Sequence, residues 1–397
     1  MRGFSFSVMI NLTKLPPLSL YIHFPWCVQK CPYCDFNSHK VQQGVPENDY
    51  INALLKDLEN DLPLVWGRKV NTIFMGGGTP SLFSPEAMDT LLSGIRARIP
   101  LSSNIEITME ANPGTIENKR LKGFREAGIN RVSFGAQSFN DTHLQKLSRI
   151  HNAETAANAI TMAKNADFEN INLDLMFALP EQTLEQAASD IETAIALQPT
   201  HISYYQLTIE PNTAFHHQPP VVPGEDAAWE IFDFGKNKLA LAGYQQYEVS
   251  AYAKNKNQCR HNANYWQFGD YLGIGAGAHA KISDGSKQSI TRYWKHKHPQ
   301  AYLDAVNESA ISGYREVTNK ELVFEFLMNA LRLNEGFNLQ TYLDHTGLKT
   351  DMLKQQLASS LKQELVDWND QSQQIKTTEK GRAFLNHILE QCLPDSP

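Results

Sequence analysis

The sequence predicts an α/β chain, in which an open, incomplete barrel of parallel strands carries helices on its outside and is followed by a smaller α+β module. Three observations predict it. In the first half, strand-like runs alternate with amphipathic helical stretches, the pattern of a parallel sheet covered by helices. Those runs are polar at every second position. Strands buried on both faces are apolar throughout, and a closed barrel is filled by branched apolar side chains, so a polar inner face points to a barrel left open around a ligand cavity. From about Asn319 the chain changes into helices and one short hairpin.

Taken in order, residues 1–17 read as a frayed extension with a short apolar patch at 4–10 and no small-x-small cleavage site of a signal peptide. Residues 18–215 read as the barrel. Its strand-like runs are 19–26, 71–75, 104–109, 131–134, 170–177 and 201–209. In the helical stretch after the first run, Tyr50, Leu54 and Leu58 recur at i, i+4 and i+8, with Ile51 and Leu55 beside them. Helical stretches 85–99, 115–129, 153–166 and 181–197 follow, the first opening on a proline suited to a first turn. Within the strands, Ile105, Ile107 and Met109 oppose Glu106, Thr108 and Glu110. Likewise Val132 and Phe134 oppose Ser133, Gly135 and Gln137, and Ile171, Leu173 and Leu175 oppose Asn172 and Asp174.

The first strand runs into Cys27-Val28-Gln29-Lys30-Cys31-Pro32-Tyr33-Cys34. Three thiolates so close together can hold three irons of a [4Fe-4S] cluster, which normally takes four cysteines, and the last iron is then open to an exchangeable ligand. A Cys₃His zinc site with His23 or His39 is the alternative, although structural zinc sites usually divide their ligands into two pairs and no second pair follows. Cys259 and Cys392 are single and distant.

Five cysteines, three of them clustered, suggest no disulfide framework and fit a reducing, cytoplasmic setting. A net charge of −7 leaves no nucleic-acid footprint. No apolar run reaches the ~18 residues of a membrane span.

CxxxCxxC just after the first strand resembles the radical S-adenosylmethionine (SAM) superfamily. The match extends through Gly76-Gly77-Gly78-Thr79-Pro80, Glu110-Ala111-Asn112-Pro113, Gly135-Ala136-Gln137-Ser138-Phe139, Arg149-Ile150-His151 and Asp174–Pro180, in that order. These segments resemble the subgroup that contains oxygen-independent coproporphyrinogen III oxidase. The resemblance implies a partial (β/α)₆ TIM-like barrel with its site at the C-terminal strand ends. It implies that Cys27, Cys31 and Cys34 hold the cluster and that Tyr21, Gly77 and Glu110 contact the SAM on it. Gly78, Thr79, Gln137, Arg149 and Asp174 would line a second SAM site. By residue type alone, the glycines also suit a plain strand–helix turn, and Glu110 also suits a solvated rim.

Two departures narrow the match. The porphyrinogen enzymes carry a further cysteine two residues after the third, where this chain has Phe36, and they have a longer segment before the cluster motif. Cys31–Ser38, read as CPYCDFNS, resembles instead the HemW-type haem chaperones. That family implies haem as a bound group and an acceptor protein, unidentified, to receive it, with transient contact to membrane haemoproteins among the options.

Residues 216–318 read as a barrel extension. Pro219, Pro220 and Pro223 mark a loop, and a helix is expected from Glu225 to Leu241. His261-Asn262-Ala263-Asn264-Tyr265-Trp266 resembles the chaperones' HNxxYW segment, which makes His261 the candidate axial haem ligand and Cys259 a weaker one. On the residues alone, a surface loop whose aromatics anchor it to the barrel edge is the favoured reading. The GxGxG run at 273–277 opens no βαβ unit, so it reads as tight backbone near the cavity mouth; His279 could face that mouth, but a structural role is favoured.

Residues 319–397 read as a winged-helix-like module: helices at 321–333, 339–345 and 350–363, a hairpin pairing 365–368 with 374–377, and a last helix at 379–392. From Lys320 to Pro397 there are 8 Lys+Arg against 11 Asp+Glu, which favours packing or protein contact over DNA. The leading expectation is a haem chaperone holding a [4Fe-4S] cluster, SAM and haem. The runner-up is a coproporphyrinogen III dehydrogenase or related radical oxidoreductase, an activity the missing cysteine disfavours.

Overall fold

The computed structural model describes residues 10–42 and 44–394. The six expected strands form, as Leu18–Phe24, Val70–Gly77, Leu101–Ala111, Arg131–Gln137, Asn170–Phe177 and His201–Gln206. They lie side by side in sequence order and all run parallel. The crossover helices are Glu47–Asp61, Pro85–Arg98, Asn118–Ala127, Ala153–Asn165 and Leu184–Leu197.

The alternation in sequence becomes two faces. Leu20, Ile22, Ile73, Met75, Ile107, Met109, Val132, Phe134, Leu173 and Leu175 are buried in the core shared with the helices, each worth about 1.5–3 kcal/mol of apolar burial. The polar half turns inward. Strand register sets Ser19 beside Thr72 and Thr72 beside Glu106. It also sets Glu110 beside Ser133, Ser133 beside Asn172 and Gly135 beside Asp174.

The sheet does not stop at the barrel. Among the described residues it has twelve strands. Asp270–Ile274 pairs parallel to the first barrel strand, and His279–Asp284, Ser289–Lys295 and Ile311–Glu316 follow it antiparallel. At the other edge, Ala251–Ala253 and Gln245–Glu248 extend the sixth strand. The GxGxG run is indeed tight: Gly275 and Gly277 hold φ of +101° and +82°, and a Cβ on Gly275 would meet the His23 carbonyl oxygen at 2.4 Å.

The C-terminal module has its own core, in which Leu322, Phe326, Tyr342, Leu353, Leu357 and Ile375 are buried. The expected hairpin forms as Val366–Asn369 and Gln374–Thr377, joined by Phe337–Asn338. The last helix breaks at Phe384 into Glu379–Ala383 and Leu385–Gln391. Residues 1–9 of the expected frayed extension lie outside the described residues. Ile10 and Leu12 are buried in the C-terminal core, so 10–12 is packed chain.

A buried charge knot ties the extension to the barrel. Lys295 is 1% exposed and its ammonium reaches Asp57 at 2.6 Å and Asp61 at 2.8 Å. Tyr293 donates to Asp61 and Tyr302 to Asp57. Removing the cation leaves two carboxylates without their counter-ion in a dry site. Lys295→Met should therefore lower unfolding free energy by about 3–5 kcal/mol. Urea unfolding measures this, and a loss below about 1 kcal/mol would contradict the account.

Candidate functional site

All six barrel strands end on one rim, and the residues singled out from the sequence lie on it. The cysteine loop leaves the first strand there, its base fixed by His39 N–H to the Pro25 carbonyl and Val41 N–H to the Cys27 carbonyl. Cys27, Cys31 and Cys34 are free thiols and partly exposed. The Thr79 hydroxyl donates to Cys27 Sγ at 3.4 Å and Arg149 Nη1 to Cys31 Sγ at 3.5 Å. Burial pushes the Cys27 thiol up, opposed by the Thr79 hydrogen bond.

Gly76 to Gly78 leave no room for side chains. A Cβ would meet Glu110 Oε2 at 2.8 Å from Gly76, the His23 ring at 2.3 Å from Gly77, and the Trp26 carbonyl oxygen at 2.5 Å from Gly78. Gly77 also holds φ +105°. Its amide donates to Glu110 Oε2 at 3.1 Å. Burial, then the charge of Asp174, pushes Glu110 up to about 7, against the pull of that amide. Burial also raises Asp174, whose carboxylate accepts from Asn172 Nδ2 at 2.7 Å.

Beside the cysteine loop, Arg149 Nη2 donates to the Gly135 carbonyl at 2.6 Å, while its Nε is buried without a partner. Gln137 holds φ 72°, a left-handed conformation uncommon for a side-chain-bearing residue and often found at functional sites. Its Oε1 accepts from Tyr205 at 2.7 Å. Tyr21 completes the ring: its hydroxyl bonds His23 Nδ1 at 3.0 Å, and burial, then the charge of Glu110, raises its pKa. The structure thus brings Tyr21, the Gly76–Gly78 run, Thr79, Glu110, Gln137, Arg149 and Asp174 to one rim with the cysteines.

The donor set bears on what the rim can hold. His23 Nε2 bonds the Asn37 carbonyl and its Nδ1 bonds Tyr21, so neither nitrogen is left for a metal. Among the described residues no three His, Cys, Asp or Glu side chains close on a single ion's position. Three thiolates, a glycine-lined edge, a carboxylate and a guanidinium fit a cluster with an open iron and a ligand carrying both amino and carboxylate groups.

His261 is elsewhere. It lies in a helix, Arg260–Trp266, where the sequence offered a surface loop, and it is fully buried. Its partners Thr72 and Glu106 sit in the N-terminal parts of their strands, so this helix plugs the barrel end opposite the rim. Nδ1 meets Thr72 Oγ1 at 2.9 Å and Nε2 meets the Tyr265 hydroxyl at 2.9 Å. The Glu106 carboxylate accepts from the amides of Arg260 and His261, satisfying the helix's first N–H groups. Burial holds the imidazole down to about 3. The expectation of an axial ligand at His261 is therefore corrected: both ring nitrogens are engaged and no macrocycle reaches them. Cys259 is likewise fully buried, its thiol pushed up to about 12.

Sequence reasoning passed over Tyr205, Asn172 and Asn37. The first two continue the same polar alternation. Asn37 lies in the quoted CPYCDFNS run, and its Nδ2 bonds the carbonyls of Ala276 and Lys297, fastening the cysteine loop to the sheet extension.

Comparison with known proteins is consistent with this geometry. The profile of the radical SAM superfamily matches residues 21–194, and that of the HemN C-terminal domain matches 317–384. The chain is 52% identical to the haem chaperone HemW of Haemophilus influenzae, over 97% of this chain and all of that one. It is 50% identical to that of Escherichia coli over the same shares, and 34% identical to that of Bacillus subtilis over 94% and 98%. The solved coproporphyrinogen III oxidase of Escherichia coli superposes with a TM-score of 0.80 at 24% identity, covering 95% of this chain and 90% of that one.

A plug residue and a ligand respond differently to truncation. His261→Ala removes a packed imidazole and strands the Tyr265 hydroxyl, while Thr72 keeps Ser19, so it should destabilise the protein by about 2–4 kcal/mol in urea unfolding. A loss below about 1 kcal/mol would reinstate His261 as a spare ligand.

Proposed function

The chain belongs to the HemW haem chaperones of the radical SAM superfamily, and from that premise we propose that it binds haem and passes it to an acceptor protein. The observation that carries this is the full-length identity of 52% to a relative named for that activity, together with Phe36 where the porphyrinogen enzymes carry a further cysteine.

The cofactor reading rests on the rim. Cys27, Cys31 and Cys34 would hold a [4Fe-4S] cluster, with Thr79 and Arg149 donating to its ligand sulfurs. Tyr21, Gly77 and Glu110 would hold SAM, and Gly78, Thr79, Gln137, Arg149 and Asp174 would extend the same pocket. An open-cornered cluster of this kind supplies one-electron chemistry when bound. The chain's own contribution is orientation: the Gly77 amide fixes the Glu110 carboxylate, and Asn172 fixes Asp174.

The acceptor is a haem-binding protein still to be identified. No described helix is long and apolar enough to cross a membrane. Thiol cluster ligands favour work in the reducing cytoplasm, with contact to membrane haemoproteins transient.

Anaerobic reconstitution should give about four irons and four sulfides per chain, and a Cys31→Ala protein should lose most of both. The haem-loaded protein should convert an apo-haemoprotein to its holo form, read as transfer of the Soret band after separation of the two. It should form no protoporphyrinogen from coproporphyrinogen III with SAM and reductant. Porphyrinogen turnover without haem transfer would overturn the proposal in favour of the oxidase.

A further inference from the structure

We propose that the haem iron is taken by His279, on the concave face of the sheet extension next to the rim, with Trp294 beside the macrocycle and Lys297 at its carboxylate edge. This deepens the haem-chaperone reading and rests on it.

The inference starts from a row of residues across the sheet. Strand pairing sets Phe74 beside Tyr21 and Tyr21 beside Gly273. Gly273 is flush with His279: a Cβ there would lie 1.9 Å from the His279 carbonyl oxygen. His279 in turn pairs with Trp294, and Trp294 with Gly313. Paired positions share a face, so the row runs without interruption from Tyr21 on the rim to the open extension. Two glycines shape it. Gly273 leaves the space between Tyr21 and His279 free of side chain. Gly313 lets the indole lie over the next strand, where a Cβ would come within 2.5 Å of the ring. The His279 and Trp294 rings are 6.2 Å apart and 30° from parallel, an open aromatic platform.

His279 differs from the imidazoles around it. His23, His151, His201 and His261 each engage both ring nitrogens. His279 is exposed, and neither of its nitrogens has a partner among the described residues. Partial burial of the ring, then the cations Lys297 and Arg292, lower its pKa from the usual histidine value, which favours the neutral form. Arg292 is committed to Glu325 and Tyr271. Lys297 is exposed, and its ammonium makes no ion pair among the described residues. A neutral imidazole, an indole face and a spare cation are the three contacts that haem iron, macrocycle and propionates require. Of the two readings the sequence left for His279, structural or facing the cavity mouth, its free nitrogens favour the second.

Among the other exposed imidazoles, His298 packs on His39 and accepts from the Gln300 amide at Nδ1, while His216 and His217, on the one-turn helix Ala214–His217, face each other. They serve as the control. Ferric haem titrated into the full-length protein should give a Soret band. His279→Ala should raise the haem Kd at least about tenfold and move the band, and added imidazole should restore it. Trp294→Ala should weaken binding about threefold to fivefold with the band in place. The double variant H216A/H217A should bind as wild type. A His279→Ala protein with wild-type Kd and band, or loss of the band in the double variant, overturns the inference and leaves the chaperone reading standing. A wild-type protein that takes up no haem overturns both.

Discussion

The constraint that shapes this molecule is that every second side chain of six parallel strands points into the barrel, and most of those side chains are polar. Buried polar groups need partners. At the lower end of the barrel the chain supplies its own: Glu106 receives the amides of Arg260 and His261, Thr72 meets His261, and Asn264 donates to Ser19. At the rim it does not supply them all. Arg149 Nε is buried without a partner, and Glu110 and Asp174 are both pushed toward their neutral forms by burial. One barrel thus has an end filled by its own helix and an end whose polar groups are left for ligands.

The extension is held to that barrel by ions rather than by apolar area alone. Besides the Lys295 knot, Asp270 at the base of the added strands binds Lys281 and Arg68, each at 2.8 Å. Burial alone would raise the Asp270 carboxyl, yet the two cations hold it below the usual range. Buried charges add little net stability but tolerate few alternative geometries. They fix the angle at which the extension leaves the first strand, and so keep the row from Tyr21 to Trp294 rigid.

What the sequence made legible follows from how far apart the deciding residues are. The six strands and their inner faces were readable because a period of two is local. The cysteine loop and the glycine run were readable because their chemistry is packed into a few residues. The pairing of Asp270–Ile274 with Leu18–Phe24 was not, since nothing local in either segment names the other. The same limit explains the two histidines. The residues that bury His261, Thr72 and Glu106, belong to distant strands. The residues that leave His279 open, Gly273 and Gly313, act through strand register. Residue type suggested which imidazole could bind iron, but only register says which one faces outward.

The two ends are nevertheless in mechanical contact. The His261 ring lies 5.1 Å from Phe74, and Phe74 stacks on Tyr21 at 6.4 Å. Tyr21 is also the residue from which the row toward His279 departs. A packing change at the plug therefore reaches the rim through two aromatic rings, without any group from the plug touching a ligand there. Because close-packed interiors transmit strain rather than absorb it, a substitution at His261 can disturb the rim and still say nothing about which nitrogen binds iron. A small ligand can enter an exposed position such as that of His279 but not the floor of a packed barrel, so the two positions differ in what a truncation there can reveal.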